Sequence, residues 1–209
     1  MSTTNLILEA CVETLEDAIL AEKCGANRIE LCGDLSVGGV TPSEELTLAC
    51  VSALKIPIMA MVRPRGGNFV YSDAEIVVMK CSIEFFKIAG VAGVVFGILD
   101  EKNEVNLRKT RELAAFARPL LVTFHKAIDD TPDPIKAIAL LTQITDIQRV
   151  LTSGGHDTAL EGAMVLRKMK AIAEGKITIL AAGKVMKDNL KKVHEAVGTS
   201  EYHGKRVVF

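Results

Sequence analysis

Short apolar runs alternate with longer amphipathic runs from one end of this chain to the other. That rhythm is its tightest constraint on fold. Strands read at residues 6–11, 28–32, 57–62, 93–97, 120–124, 149–152, 177–181 and 201–203. Helices read between them at 14–24, 43–55, 73–87, 106–117, 133–142, 159–174 and 187–196. Strict strand–helix alternation implies a parallel sheet with helical crossovers. Eight strands favour a closed (β/α)8-type TIM barrel over an open, doubly wound sheet. No Gly-x-Gly-x-x-Gly follows the first strand, which argues against a dinucleotide-binding fold and a nucleotide cofactor.

Local chemistry supports the boundaries. Thr41-Pro42-Ser43-Glu44 reads as a hydroxyl cap with proline at the first helical position. Ser72-Asp73-Ala74-Glu75 reads as a capping box. Asp133-Pro134 starts a helix in the same manner. Gly25, Gly90, Gly175 and Gly198 each follow a helical run, as left-handed caps do.

The chain reads as one domain over residues 1–209, shorter than the ~250 residues usual for this architecture. After His203 only Gly204-Lys205-Arg206-Val207-Val208-Phe209 remain, too few for an ordinary helix. The eighth helix is therefore expected to be missing or truncated. Either a partner subunit or the tail itself is expected to cover the gap.

With a formal charge of −1, the chain carries no field of one sign to attract nucleic acid or an anionic membrane. No apolar run approaches the ~18 residues of a membrane span. Met1-Ser2-Thr3-Thr4-Asn5 lacks the features of a secretory signal. The five cysteines include no Cys-x-x-Cys, which argues against a disulfide framework or a finger-type zinc site. A reducing, cytoplasmic setting is expected.

In such a barrel, functional groups come from the carboxyl ends of the strands. Residues two apart on a strand share a face. That pairs Glu9 with Cys11, Arg28 with Glu30 and Cys32, Met59 with Met61 and Arg63, Thr123 with His125, and Glu201 with His203. Inward acids and bases are costly to bury unpaired, so their recurrence points to a shared site. Glu9, Glu30, Arg63, His125 and His203 are expected to line one pocket. Glu30 and Arg63 also suit a structural ion pair, Met59 and Met61 suit core filling, and His156 and His194 read as loop and surface residues. Cys11 and Cys32 fall near the ends of neighbouring strands, where two soft thiols would select Cu(I); buried packing is their plainer role. Cys24, Cys50 and Cys81 fall on helices and read as packing residues. The Arg63–Asn68 loop, with Arg65 and two glycines, suits an anion. So does Leu151-Thr152-Ser153-Gly154-Gly155, through free backbone amides.

These segments resemble the CutC family. The resemblance rests on Arg28-Ile29-Glu30-Leu31-Cys32, Gly38-Gly39-Val40-Thr41-Pro42-Ser43, Arg63-Pro64-Arg65-Gly66-Gly67-Asn68-Phe69-Val70-Tyr71-Ser72, Val122-Thr123-Phe124-His125 and Leu151-Thr152-Ser153-Gly154-Gly155. It implies a TIM barrel, a cytoplasmic homo-oligomer (dimer or larger) and a link to copper homeostasis, with Cys11 and Cys32 at the positions proposed to bind Cu(I). Three departures stand out. His125-Lys126-Ala127-Ile128-Asp129 replaces the usual His-Arg-Ala-Phe-Asp. Ala181-Ala182-Gly183-Lys184 replaces a Pro-Gly-Gly-Gly run, where Lys184 would substitute a charge for backbone contacts. The chain also stops soon after the strand-eight Glu-x-His.

Two functions are compatible with this reading. The first is copper handling through Cys11 and Cys32, with Met61 as an extra soft donor. The second is an enzyme acting on a small anionic metabolite. There Arg63 and Arg65 would clamp the anion, Glu30 or His125 would act as acid or base, and Asp129 would orient His125. Glu9, Ser153, Gly154 and His203 would complete the binding surface.

Overall fold

The computed structural model describes residues 6–209; the first five residues, where no secretory signal is read, lie outside it. Eight strands close into one barrel in sequence order. They are β1 (Ile7–Val12), β2 (Arg28–Leu31), β3 (Ile58–Met61), β4 (Gly93–Phe96), β5 (Leu121–Phe124), β6 (Arg149–Thr152), β7 (Thr178–Ala181) and β8 (Glu201–Gly204). Every pairing is parallel, and β8 pairs β1 with Glu9 opposite His203. Seven helices cross over between them: α1 (Leu15–Lys23), α2 (Glu44–Ala53), α3 (Asp73–Ala89), α4 (Leu107–Ala117), α5 (Pro134–Leu141), α6 (Ala163–Ala173) and α7 (Leu190–Val197). No helix is long and apolar enough to cross a membrane.

The two-residue period of the strands divides the core. One set of side chains, including Ala10, Ile29, Leu31, Val94, Phe96, Phe124 and Val150, packs with the helices in a continuous outer core. The alternate set forms smaller apolar clusters: Cys11, Cys32, Met59, Met61 and Val95 in one, and Leu151, Leu180 and Ala182 in another. Met59 is a filler, as expected. It uses the space left by Gly93 directly across the ladder, where an added Cβ would lie 2.4 Å from the Met59 methyl.

Several caps form as read. Ser72 and Glu75 make the reciprocal box that starts α3, and the Asp133 side chain accepts from Ile135 and Lys136 amides ahead of Pro134. The α2 start needs correction: Ser43, not Thr41, is the cap and accepts from Leu46 N–H. The Thr41 hydroxyl instead accepts from the Arg63 amide. Helix α6 begins four residues later than the 159 expected from the sequence, because residues 158–162 form turns. Two 3-10 turns also escape the periodicity, Leu35–Val37 and Lys126–Asp130.

Among the described residues no eighth helix follows β8. The tail folds back instead. Arg206 bridges to Met186, and Val207 and Val208 are buried. Cys50 is buried as a packing residue, but Cys24 and Cys81 are exposed, contrary to their reading as packing residues.

Candidate metal and ligand site in the barrel mouth

At the lower level of the barrel, Arg28 on β2 lies between Glu9 on β1 and Glu201 on β8, ion-paired to both. Arg149 on β6 reaches Glu201 with its Nε at 2.9 Å. All three carboxylate and guanidinium groups around Arg28 are buried, so each charge depends on its partners for solvation. One level up, His203 spans two acids. Its Nδ1 is 2.9 Å from Glu9 Oε1 and its Nε2 3.5 Å from Glu30 Oε2.

Burial alone would raise the Glu9 carboxyl. The hydrogen bond from His203 and the charge of Arg28 outweigh it and hold Glu9 at about 2, against an ordinary 4.5. Burial would likewise strip the proton from His203. Glu30, Cys11 and Glu9 reverse this and hold the imidazolium well above its usual range. For Glu30 burial prevails, and its carboxyl is pushed well up.

Above this layer the two thiols meet. The ligand atoms of Cys11, Glu30 and Cys32 lie within 4.8 Å of one another, all buried, with the Cys32 Sγ donating to Glu30 Oε2 at 3.6 Å. The register explains the meeting, because Cys11 sits opposite Glu30 on the ladder and Cys32 is two residues beyond. The neighbouring Cys32 and His203 draw the Cys11 thiol well below its ordinary range against the cost of burial. Cys11 and burial together push Cys32 up.

His125 closes β5 and caps the turn after it. Its Nδ1 accepts from the Ala127 amide at 3.2 Å, which leaves the ring proton on Nε2. That nitrogen is buried without a partner among the described residues, as is Glu30 Oε1. Burial, with the charge of Arg63 adding to it, lowers His125 to about 3, so the ring is neutral. Phe69 packs on it, ring centroids 4.8 Å apart, and Arg63 stacks over Phe69.

Three expected roles are corrected by these contacts. Arg63 is not paired with Glu30. Its guanidinium donates to the carbonyls of Val37, Gly39 and Gly67 and so pins the loops together. Arg65 is held by Glu75, Asn68 and Val70, whereas Arg63 Nε has no partner among the described residues. Asp129 does not orient His125. It accepts from Thr152, Ser153, Gly155 and Lys126, and so consumes the backbone amides expected to bind an anion after β6. Gly154 N–H turns to the Thr152 hydroxyl. His194 is half-buried rather than a surface residue, its Nδ1 2.8 Å from the Tyr202 hydroxyl.

A cavity of about 480 Å³ opens above the thiols. Cys11, Glu30, Met61, Arg63, His125 and His203 all line it. Of the five residues expected to share a pocket, Glu9 alone lies below it, joined through His203. Glycine 97 is essential to this arrangement, since a Cβ there would lie 2.5 Å from His125 Nδ1.

The family model for CutC matches residues 6–208. The chain belongs to the CutC family. The human copper homeostasis protein cutC homolog is 41% identical over 202 residues, covering 97% of this chain and 74% of the human protein. The CutC protein of Edwardsiella ictaluri is 39% identical over 198 residues, covering 95% of this chain and 78% of its own. The solved CutC structure from Streptococcus agalactiae superposes with a TM-score of 0.91 at 30% identity, covering 97% of this chain and 99% of that one. An aldolase, QR15, shares the barrel alone, with a TM-score of 0.70 at 14% identity.

Two members of the CutC site escape the sequence reading. Phe69, read only as part of a loop motif, packs on His125. Arg149 completes the ion network. The second was accessible in principle, because the period of two places Arg149, Leu151 and Ser153 on one face.

Proposed function

We propose that this CutC-family protein handles copper in a reducing, cytoplasmic compartment, holding Cu(I) as cargo between the sulfurs of Cys11 and Cys32. One observation carries the reading: the buried sulfurs of Cys11 and Cys32 lie within 4.8 Å of each other, and Cys11 lines an open cavity. Thiolates are the soft donors that Cu(I) prefers. The neighbouring donors support copper over zinc. Both His203 nitrogens face carboxylates, and Glu30 Oε2 already faces Cys32 and His203. That leaves two sulfurs, which falls short of the four ligands a structural zinc ion takes. Met61 belongs to the same apolar cluster and offers a third soft donor. Free thiols on Cys24 and Cys81 fit a reducing setting.

The test is an anaerobic Cu(I) titration against a chromophoric chelator, with Zn(II) in a parallel series. One tight equivalent of Cu(I), lost in both Cys11→Ser and Cys32→Ser, is the expected result. Binding that ignores either substitution, or a preference for Zn(II), overturns the thiol-pair reading.

A further inference from the structure

The copper reading uses only the floor of the cavity and leaves its walls and rim without a task. Its walls include Leu35, Met61 and Leu151. Partway down sits His125, with a buried Nε2–H that finds no acceptor, and near the floor is Glu30 with its unpartnered Oε1. A buried polar atom without a partner forfeits about 1–3 kcal/mol. Three residues lining this cavity carry such atoms, Arg63 with its Nε being the third, and they mark where a ligand's oxygen belongs.

The rim on the β7–β8 side carries Lys184, Lys205 and Arg206, all exposed and all lining the cavity. Among the described residues none of the three side chains makes a hydrogen bond or ion pair. Lys184 has a left-handed backbone at φ +53°, a conformation that favours glycine and costs a side-chain-bearing residue about 1 kcal/mol or more. A cation thus occupies a glycine-type position at the mouth.

We propose that the cavity binds a small organic anion with an apolar body. Its carboxylate or phosphate meets Lys184, Lys205 and Arg206. The body lies along Met61 and Leu151, and a carbonyl or hydroxyl oxygen accepts from His125 Nε2–H beside Glu30. His125 is suited to this, because the Ala127 amide holds its Nδ1 and so fixes the N–H donor on Nε2.

The experiment titrates metal-free, reduced protein in the presence of a chelator, so its result does not depend on the thiol-pair reading. The probes are 2-oxohexanoate and hexyl phosphate, which share a linear six-carbon chain and differ in head group, with 1-hexanol as the neutral control. Side-chain nitrogen NMR of His125 and the amides of Gly183 and Gly204 give the readout. At least one anion is expected to bind saturably and shift His125, while hexanol does not. Lys184→Gly with Arg206→Ala, a rim change that leaves the core intact, is expected to weaken binding about tenfold or more. His125→Phe is expected to weaken it likewise and His125→Gln to retain it, because glutamine keeps a donor near the Nε2 position. The proposal is overturned if neither anion saturates, if the rim double variant binds as the parent does, or if binding leaves the His125 signal unmoved.

Discussion

Nδ1 of His203 lies 2.9 Å from Glu9 Oε1 and joins the last strand of the barrel to the first. This bond is the centre of the acid response of the fold. Glu9 is held at about 2 against 4.5, and His125 at about 3 against 6.5. Both are depressed in the folded state, so the unfolded chain binds the extra protons as pH falls. Stability is complete above about 6.5 with respect to these two groups. Between 6.5 and 3 the unfolded His125 gains its proton first, a loss approaching about 5 kcal/mol; Glu9 adds about 3 kcal/mol between 4.5 and 2. His203 has the opposite sign. Its raised value contributes stability at low pH that is lost as pH rises through its folded value. Urea unfolding of parent and His125→Phe across this range checks the prediction. The variant should show a shallower decline between pH 6.5 and 4.5, and parallel curves would refute it.

Arg28 bridges two buried carboxylates, and its loss leaves Glu9 with His203 alone and Glu201 with Arg149 alone. Arg28→Met is expected to cost about 3–5 kcal/mol, as breaking buried pairs does. Adding Glu201→Gln should recover part of that loss. Chemical denaturation of the single and double variants gives the coupling directly; strictly additive losses would show that the network is not shared.

The architecture was legible because strand and helix periods differ, and eight alternations leave little choice of sheet. Cys11 and Cys32 were legible as a pair because neighbouring parallel strands fix their register. The roles of Arg63 and Asp129 were not, because they depend on loop backbone. Arg63 reaches carbonyls up to 26 residues away, and Asp129 collects amides 24 and 26 residues on. No spacing rule specifies such contacts. The ion pair of Arg28 with Glu201 is beyond it too, with 173 residues between the partners.

Gly97 controls a histidine it does not pair with. Gly97→Ala would bring a methyl to 2.5 Å from His125 Nδ1, so the ring must turn and release the Ala127 amide. We expect a loss of about 1–3 kcal/mol and a changed His125 tautomer signal by NMR. An unmoved ring would mean that β4 yields instead.

If Cu(I) enters between Cys11 and Cys32, any proton on either sulfur must leave. Fewer than two protons per copper are expected near neutral pH, because Cys11 is drawn towards its thiolate. A pH-stat titration measures this number. Affinity should rise with pH, following deprotonation of Cys32.

The charged layer inside the barrel also bears on how the chain folds. Glu9 and His203 are separated by 194 residues, so their contact closes a loop of almost the whole chain. The burial of Glu9 and Arg28 beside Glu201 is complete only when β8 docks on β1, and the water around them must leave in that event. Contacts of such long sequence separation slow folding. Closing the ring and drying its interior are thus one step, and that step should set the rate at which the native barrel appears.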